Sequence, residues 1–284
     1  MKSVERDGDV VVLSIVVPTR DRIVSLRRCL QALEQQSIGE RVEVIVIDDA
    51  STDESQVAAI VARSQEATVV RHERRRGPAA ARNSGVRASV GRFVCFTDDD
   101  CEPAPDWLER LQARLLAGAD AVAGATVNAR PSDALAEASQ LVASSLVRGV
   151  PGEPGEILFA PSNNLACRRD LLVTVPFDES YPVAAGEDRD WCVRMRRAGF
   201  RLEYEPSAVV RHHHDLDLHA FWRQHRRYGA AARSFRAAHA ADARVGFSFY
   251  PRLVGAGFQR GPLVGLAILL AQVATVVGYV RGRA

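Results

Sequence analysis

Three consecutive aspartates, Asp98, Asp99 and Asp100, close an apolar run that begins at Gly91. Carboxylates at the C-terminal end of a strand lie where open α/β sheets bind ligands. Packing them this closely costs repulsion unless a cation or a proton relieves it. In an Asp-x-Asp arrangement Asp98 and Asp100 form the working pair. Asp98 would face a ribose, and Asp100 a hard divalent ion, Mg2+ or Mn2+, that grips a diphosphate. Such an ion offsets charge on a departing diphosphate. An acidic turn ahead of a helix near Pro105 accounts for the same residues with no ligand at all.

Four further constellations bear on that choice. Asp48 and Asp49 end a second apolar run and are followed by Ser51-Thr52-Asp53; acids there can accept hydrogen bonds from a base or a ribose, or merely cap a helix. Gly77-Pro-Ala-Ala-Ala-Arg82 lets a helix start approach a ligand closely, with Arg82 within reach of a phosphate. It lacks the G-x-G-x-x-G fingerprint of dinucleotide-binding folds. Gly186-Glu187-Asp188 opens an amphipathic helix, where an acid can deprotonate an acceptor hydroxyl or simply complement the helix dipole. His212-His213-His214 follows a strand, and one of these imidazoles can complete an aspartate-held metal site, with His212 and His214 on the same side of an extended chain. No H-E-x-x-H zinc motif is present.

These groups need a scaffold that delivers them to one edge. Residues 10–17, 42–47, 69–71 and 92–97 read as strands, and 21–36, 51–64 and 78–89 as the helices between them. That alternation with short connections predicts an α/β fold with a mostly parallel sheet flanked by helices. Beyond Pro105 the pattern continues with a helix, a strand over 119–127 and a helix over 132–147. The Gly- and Pro-rich residues 148–156 then read as a mobile loop. A short strand over 164–167 and a short helix over 170–175 come next. An amphipathic helix over 187–198 ends at Gly199. Strands over 201–204 and 208–211 lead to a long basic helix over 218–241.

Composition limits the functions available. The 284 residues are 47% apolar and 25% charged with a net charge of +2, so no global field argues for nucleic acid. Five cysteines without C-x-x-C spacing fit a reducing cytoplasm, and the polar residues 1–9 do not resemble a signal peptide. Residues 262–280 carry no charge and are flanked by Arg260 and Arg281. That length is close to the roughly 20 residues a bilayer-spanning helix needs. With the basic helix around Trp222, Arg223, Arg226, Arg227 and Tyr228, it predicts a membrane-associated C-terminal extension. Whether that segment crosses or lies on the membrane stays open at this level.

The ordered set of Val16-Val-Pro-Thr-Arg-Asp21, Val46-Ile-Asp-Asp-Ala-Ser51, Gly77 with Ala81-Arg-Asn-Ser-Gly85, Phe96-Thr-Asp-Asp-Asp100, Pro105-Asp-Trp-Leu108, Asn163-Asn164, Gly186-Glu-Asp188 and His212 resembles glycosyltransferase family 2. The resemblance covers about residues 10–230. It implies a GT-A fold and an inverting transfer of a sugar from a nucleoside diphosphate donor to an acceptor hydroxyl, with Mg2+ or Mn2+. Cell-envelope glycan or glycolipid synthesis at the cytoplasmic face of the membrane is the expected setting. Asp188 matches the catalytic base, with Glu187 beside it. Pro18, Thr19, Arg20, Asp48, Asp49, Arg82, Asp98 and Asp99 match the donor site; Asp98, Asp100 and His212 match the metal ligands, with His214 a rival. Trp107, Asn163, Asn164 and Trp191 match the acceptor wall, where Ser162 departs from the family's usual Gly or Ala. Residues 1–9 are then a tail, 10–104 the nucleotide-sugar half, 105–230 the acceptor half and 231–284 a helical extension. A sugar-phosphate nucleotidyltransferase and a non-catalytic nucleotide-sugar-binding module are the alternatives. The first normally carries a Gly-rich, Lys-containing N-terminal loop, in place of which this chain has Pro18-Thr-Arg-Asp-Arg22; the second has no need of Glu187-Asp188.

Overall fold

A computed structural model describes residues 13–147, 149–150, 153–181, 185–240 and 249–282. The expected tail at 1–9 and the first residues of the first strand lie outside them. In chain order the first half comprises β1 (Leu13–Thr19), α1 (Ile23–Leu33), β2 (Val42–Asp48), α2 (Glu54–Val61), β3 (Ala67–Arg71), α3 (Pro78–Ala88), β4 (Phe93–Thr97) and β5 (Cys101–Pro103). The second half comprises α4 (Trp107–Leu116), β6 (Ala121–Asn128), α5 (Ala134–Ser144), β7 (Gly149–Val150), β8 (Glu153–Ile157), β9 (Asn164–Arg168), α6 (Arg169–Thr174), α7 (Glu187–Arg197), β10 (Leu202–His212), α8 (Leu218–Ala238), α9 (Phe249–Arg260) and α10 (Pro262–Arg281).

The strands form one sheet in the order β3-β2-β1-β4-β9-β6-β10-β8-β7, with β5 paired to β10. β1 pairs in parallel with β2 and β4, and β6 with β10. β9 runs against both β4 and β6, so one inverted strand joins the two parallel groups. The register places Thr19 opposite Asp48, bringing the ends of β1 and β2 to the same edge.

Strand periodicity explains the two-sided core. Leu13, Ile15 and Val17 point to one face and join α1, α2 and α4, whereas Val16, Ile45 and Ile47 point to the other and join α3, α6 and α7. Gly85 lets α3 lie directly on the sheet, since a Cβ there would sit 2.2 Å from Val16 Cγ1. A third cluster, built from Ala138, Phe221, Leu253, Val264, Ala267, Ile268 and Ala271, joins α5, α8, α9 and α10.

The α/β architecture thus agrees with the sequence expectation, and several details differ. Where a loop was expected over 148–156, the described residues form β7 and β8, because β8 finds an edge of β10 to pair with. The two strands expected over 201–204 and 208–211 are one, β10, with an irregularity between Glu205 and Val209. Short β5 was not anticipated, and helix α9 falls within the helical extension expected over 231–284. The long basic helix ends at Ala238 and runs through position 230 without a break. All five cysteines are buried thiols.

Candidate active site

The loops that follow β1 and β2 are locked to one another at the C-terminal edge of the sheet. Asp21 and Ala50 both adopt positive φ, 54° and 60°, a backbone region that costs a side-chain-bearing residue energy and recurs at functional sites. The Asp21 amide donates to Ser51 Oγ (3.0 Å), and the Thr52 amide donates to Asp21 Oδ1 (2.7 Å). Asp48 is buried, accepts from the Ser51 amide (2.9 Å) and is ion-paired with Arg71. Asp49 is committed to the approach to α3. It accepts from the Arg76 and Gly77 amides (both 2.8 Å), and its Oδ1 lies 2.8 Å from His72 Nδ1. The other His72 ring nitrogen lies 2.9 Å from Ser84 Oγ. Pro18 is half-buried, and exposed Arg20 pairs with Asp21 (3.4 Å).

The aspartate triplet is divided among different partners. Asp98 faces Arg82 (3.0 Å), Asp99 accepts from Thr19 Oγ1 (2.7 Å) and pairs with Arg22 (3.1 Å), and Asp100 pairs with Arg22 (2.6 Å) and His212 Nε2 (3.2 Å). A tight turn fans them apart: the Cys101 amide donates to the Asp98 carbonyl, and the His213 amide to that of Asp100. Burial and the neighbouring Asp100 push the Asp99 carboxyl up to about 7, against the pull of Arg22 and Thr19. Burial also acts on Asp100, but His212 and Arg22 outweigh it and hold that carboxyl below the usual range. His212 is raised in turn: burial works against its charge, and Asp100 prevails.

A metal ion has a suitable donor set here. Among the described residues Asp100, Cys101 and His212 each offer a ligand atom, all within 4.8 Å of one another. The carboxylate oxygen suits Mn2+ or Mg2+, and the imidazole adds a nitrogen donor that Mn2+ takes more readily than Mg2+, whereas burial keeps the Cys101 thiol protonated and a poor partner for a hard ion. Asp98, expected as a ligand, spends one oxygen on Arg82. His212 rather than His214 touches Asp100; the His214 ring packs tilted against His212 at 3.9 Å between ring centroids, and its Nε2 lies 3.2 Å from Gln140 Oε1.

Gly186 turns the chain into α7 with φ 91°, a left-handed conformation that favours glycine. Glu187 is buried and accepts from Arg82 Nη1 (2.9 Å), while Asp188 keeps a partly exposed face. Asp188 accepts from the Arg189 amide (2.8 Å) and lies against the Ser162 backbone. Burial, then the charge of Glu187, pushes Asp188 up to about 7 despite Arg82, so this carboxyl can exchange a proton near neutral pH. Arg82, 3% exposed, therefore bridges the triplet to the start of α7. Burial disfavours its charge, but Asp98, Glu187 and Asp188 more than restore it.

Three residues expected on the acceptor wall lie in the interior instead. Trp107 is fully buried and donates its indole N–H to Asn164 Oδ1 (2.8 Å); Asn164 Nδ2 donates to the carbonyls of Ala125 (3.0 Å) and Ala208 (2.9 Å). This polar knot ties α4, β9, β6 and β10 together, leaving Asn164 no donor or face for an acceptor. Trp191 is also fully buried, bonded to the Val175 carbonyl (2.8 Å) and stacked on Phe177. Only Asn163, beside Thr126 Oγ1 (3.3 Å), keeps a slight opening.

Sequence reasoning missed three residues near these groups. Arg22 neutralises Asp99 and Asp100 from the loop after β1. His72, the first residue after β3, stands at the ligand-binding edge of the sheet, which was the available signal. Tyr228 on α8 is pushed up to about 12, mainly by burial, with Asp188, Glu187 and Asp100 close enough to contribute. The basic-helix pattern marks Tyr228 only for the membrane-associated extension, and nothing local announces its nearness to Asp188.

Residues 14–174 match the family model described as Glycosyl transferase family 2. The pre-mycofactocin glycosyltransferase of Mycobacterium tuberculosis is 32% identical over 226 residues, covering 78% of this chain and 46% of the relative, so the chain spans about half that protein's length. The amylovoran biosynthesis glycosyltransferase AmsB of Erwinia amylovora is 25% identical over 219 residues, covering 70% of this chain and 69% of the relative. Among solved structures, the mannosyltransferase PcManGT from Pyrobaculum calidifontis in complex with GDP-Man and Mn2+ aligns with a TM-score of 0.62 at 22% identity, covering 99% of this chain and 80% of that one. This last likeness is one of fold, in agreement with the GT-A expectation.

Proposed function

The chain belongs to glycosyltransferase family 2, and we propose on that footing that it transfers a sugar from a nucleoside diphosphate to an acceptor hydroxyl with inversion. The observation that carries the reading is the Arg82 bridge, which joins the carboxylates at the end of β4 to the Glu187-Asp188 pair at the start of α7. Residues 10–104 serve as the donor half and 105–230 as the acceptor half, with 231–284 a membrane-associated extension. The relative named for amylovoran biosynthesis supports a cell-envelope glycan acceptor; the same reading takes that acceptor, or a lipid-linked one, to be met at the cytoplasmic face of the membrane, with the uncharged run 262–280 as its motive.

Asp188 accepts the proton of the acceptor hydroxyl, whose oxygen then attacks the anomeric carbon. The bond from that carbon to the diphosphate breaks as the new one forms, so the configuration inverts without a covalent enzyme intermediate. Glu187 and Arg82 hold Asp188 and Asp98 in register, and Arg22 and Arg82 supply positive charge beside the departing diphosphate. Asp98, Asp100 and His212 would hold Mg2+ or Mn2+, which supplies further compensation for the diphosphate charge when bound. The fold neighbour solved with GDP-Man and Mn2+ supports a divalent ion.

A panel of UDP-, GDP- and dTDP-sugars, with and without Mn2+, tests the reading. Release of nucleoside diphosphate from one donor, stimulated by the metal and by a glycan acceptor, is the expected result. A product with retained anomeric configuration, or pyrophosphate release from a nucleoside triphosphate instead, overturns it.

A further inference from the structure

Helix α10 is apolar on two opposite faces, and among the described residues only one of them is covered. Val264, Ala267, Ile268, Ala271, Ala274 and Gly278 are buried on the inner face. Leu263, Leu266, Leu269, Val273, Val276 and Val280 recur at three- and four-residue spacing on the outer face, between 42% and 69% exposed. A helix merely packed on a water-soluble domain carries polar residues there; a bare apolar stripe of this length marks an interaction surface.

The inner face fixes how α10 can meet a membrane. A Cβ on Gly229 would lie 1.9 Å from the Thr275 carbonyl oxygen, and one on Gly278 would lie 1.8 Å from that of Arg226, so the backbones of α8 and α10 touch. Arg233 donates to the Val280 carbonyl (3.1 Å) at the end of α10. α8 carries Arg223, Arg226, Arg227, Arg233 and Arg236. A spanning α10 that kept these contacts would draw these arginines into hydrocarbon, where a charged side chain is costly.

The charge pattern identifies the occupant. Between Leu218 and Ala284 the chain has ten arginines and one acid, Asp242. An apolar stripe on such a segment is complementary to a bilayer of anionic headgroups.

We infer that α10 is an in-plane anchor: its Leu263–Val280 outer stripe beds in the interfacial layer of an anionic membrane, while its Gly- and Ala-lined inner face stays docked on arginine-rich α8. The inference rests on the membrane reading above, and it removes the choice between crossing and lying on the bilayer. Because α8 also carries Tyr228 close to Asp188, the anchor would hold the proposed acceptor side of the site near the lipid surface.

Flotation of the full chain with vesicles of phosphatidylcholine, with or without phosphatidylglycerol, tests it. Binding should require phosphatidylglycerol. It should weaken about tenfold or more in Leu266→Gln/Val273→Gln/Val276→Gln and in the single variant Val276→Asp, with unchanged melting temperatures. Bimane placed by Leu263→Cys, Val273→Cys or Val280→Cys, the five native thiols being buried, should be quenched equally by shallow nitroxide lipids. Deep quenching confined to position 273 would mean a span and would overturn the proposal. So would stripe variants that convert a dimer to a monomer without altering vesicle binding, which would make a second copy the occupant. Stripe-dependent binding without nucleoside diphosphate release would sink the transferase reading alone; release without vesicle binding would sink only the anchor.

Discussion

Arg82 and Glu187 meet at 2.9 Å although 105 positions separate them in the chain, and the other arm of the same guanidinium lies 3.0 Å from Asp98. A planar fork can hold two carboxylates from two elements at once, which a lysine ammonium does not reproduce in geometry. The site therefore has a built-in counter-charge that couples the proposed donor strand to the helix of the proposed base.

Arg82→Ala should cost about 3–5 kcal/mol, the range for stranding a buried charge by removing its partner. Glu187, 4% exposed, would be left uncompensated. Arg82→Lys should recover part of the stability but little turnover. Denaturant titration beside initial rates separates the two; a variant as stable and as active as the parent would show that the bridge is dispensable.

Asp188→Asn should remove most turnover while leaving donor affinity nearly unchanged. In the parent, rate should rise with pH through about 7 as Asp188 loses its proton, and the variant's residual activity should lack that limb. Stability should move the other way. Because the folded carboxyl titrates above its ordinary 3.8, stability contributed by the protonated form is lost as pH rises from about 4 to about 7. The variant's melting temperature should therefore exceed the parent's at pH 8 and approach it at pH 4.

Asp100→Asn and His212→Ala should abolish the thermal shift that Mn2+ produces together with a nucleoside diphosphate, since ligand binding stabilises by mass action. His214→Ala should keep most of that shift, because His214 faces Gln140 rather than Asp100. Equal losses in the two histidine variants would count against the assignment.

Asn164→Ala should act on stability rather than on acceptor recognition. It would leave the Trp107 indole N–H and the carbonyls of Ala125 and Ala208 without their partner, at about 1–3 kcal/mol for each group left unsatisfied. Chemical denaturation checks the loss; a raised acceptor KM with unchanged stability would restore Asn164 to the acceptor wall.

Gly278→Leu should separate α10 from α8, because its added atoms have only the Arg226 backbone to displace. Overpacking of this kind costs about 1–3 kcal/mol. Limited proteolysis should then cut between the helices faster than in the parent, whereas Val276→Gln, on the bare face, should leave the cleavage rate alone.

Much of this arrangement was legible in the chain itself. Apolar runs that end in Asp48-Asp49 and Asp98-Asp99-Asp100 announce strands whose acids reach the C-terminal edge, because a strand's course and its side-chain alternation are local properties. The Gly186-Glu187-Asp188 helix start and the motif order belong to the same local level, and with them the α/β class and the family.

Partnership was not legible, because it joins residues far apart in sequence. Nothing near Asp99 states that it meets Thr19 and Arg22 while Asp98 meets Arg82; the sheet order and the packing of α3 and α7 decide it. Trp107 and Trp191 have the composition of a binding wall, but burial in a layered core takes both out of reach. The uncharged run at 262–280 shows only that α10 prefers an apolar environment. The tertiary structure divides that preference, half toward α8 and half outward, because only three-dimensional packing determines which side of a helix another element covers.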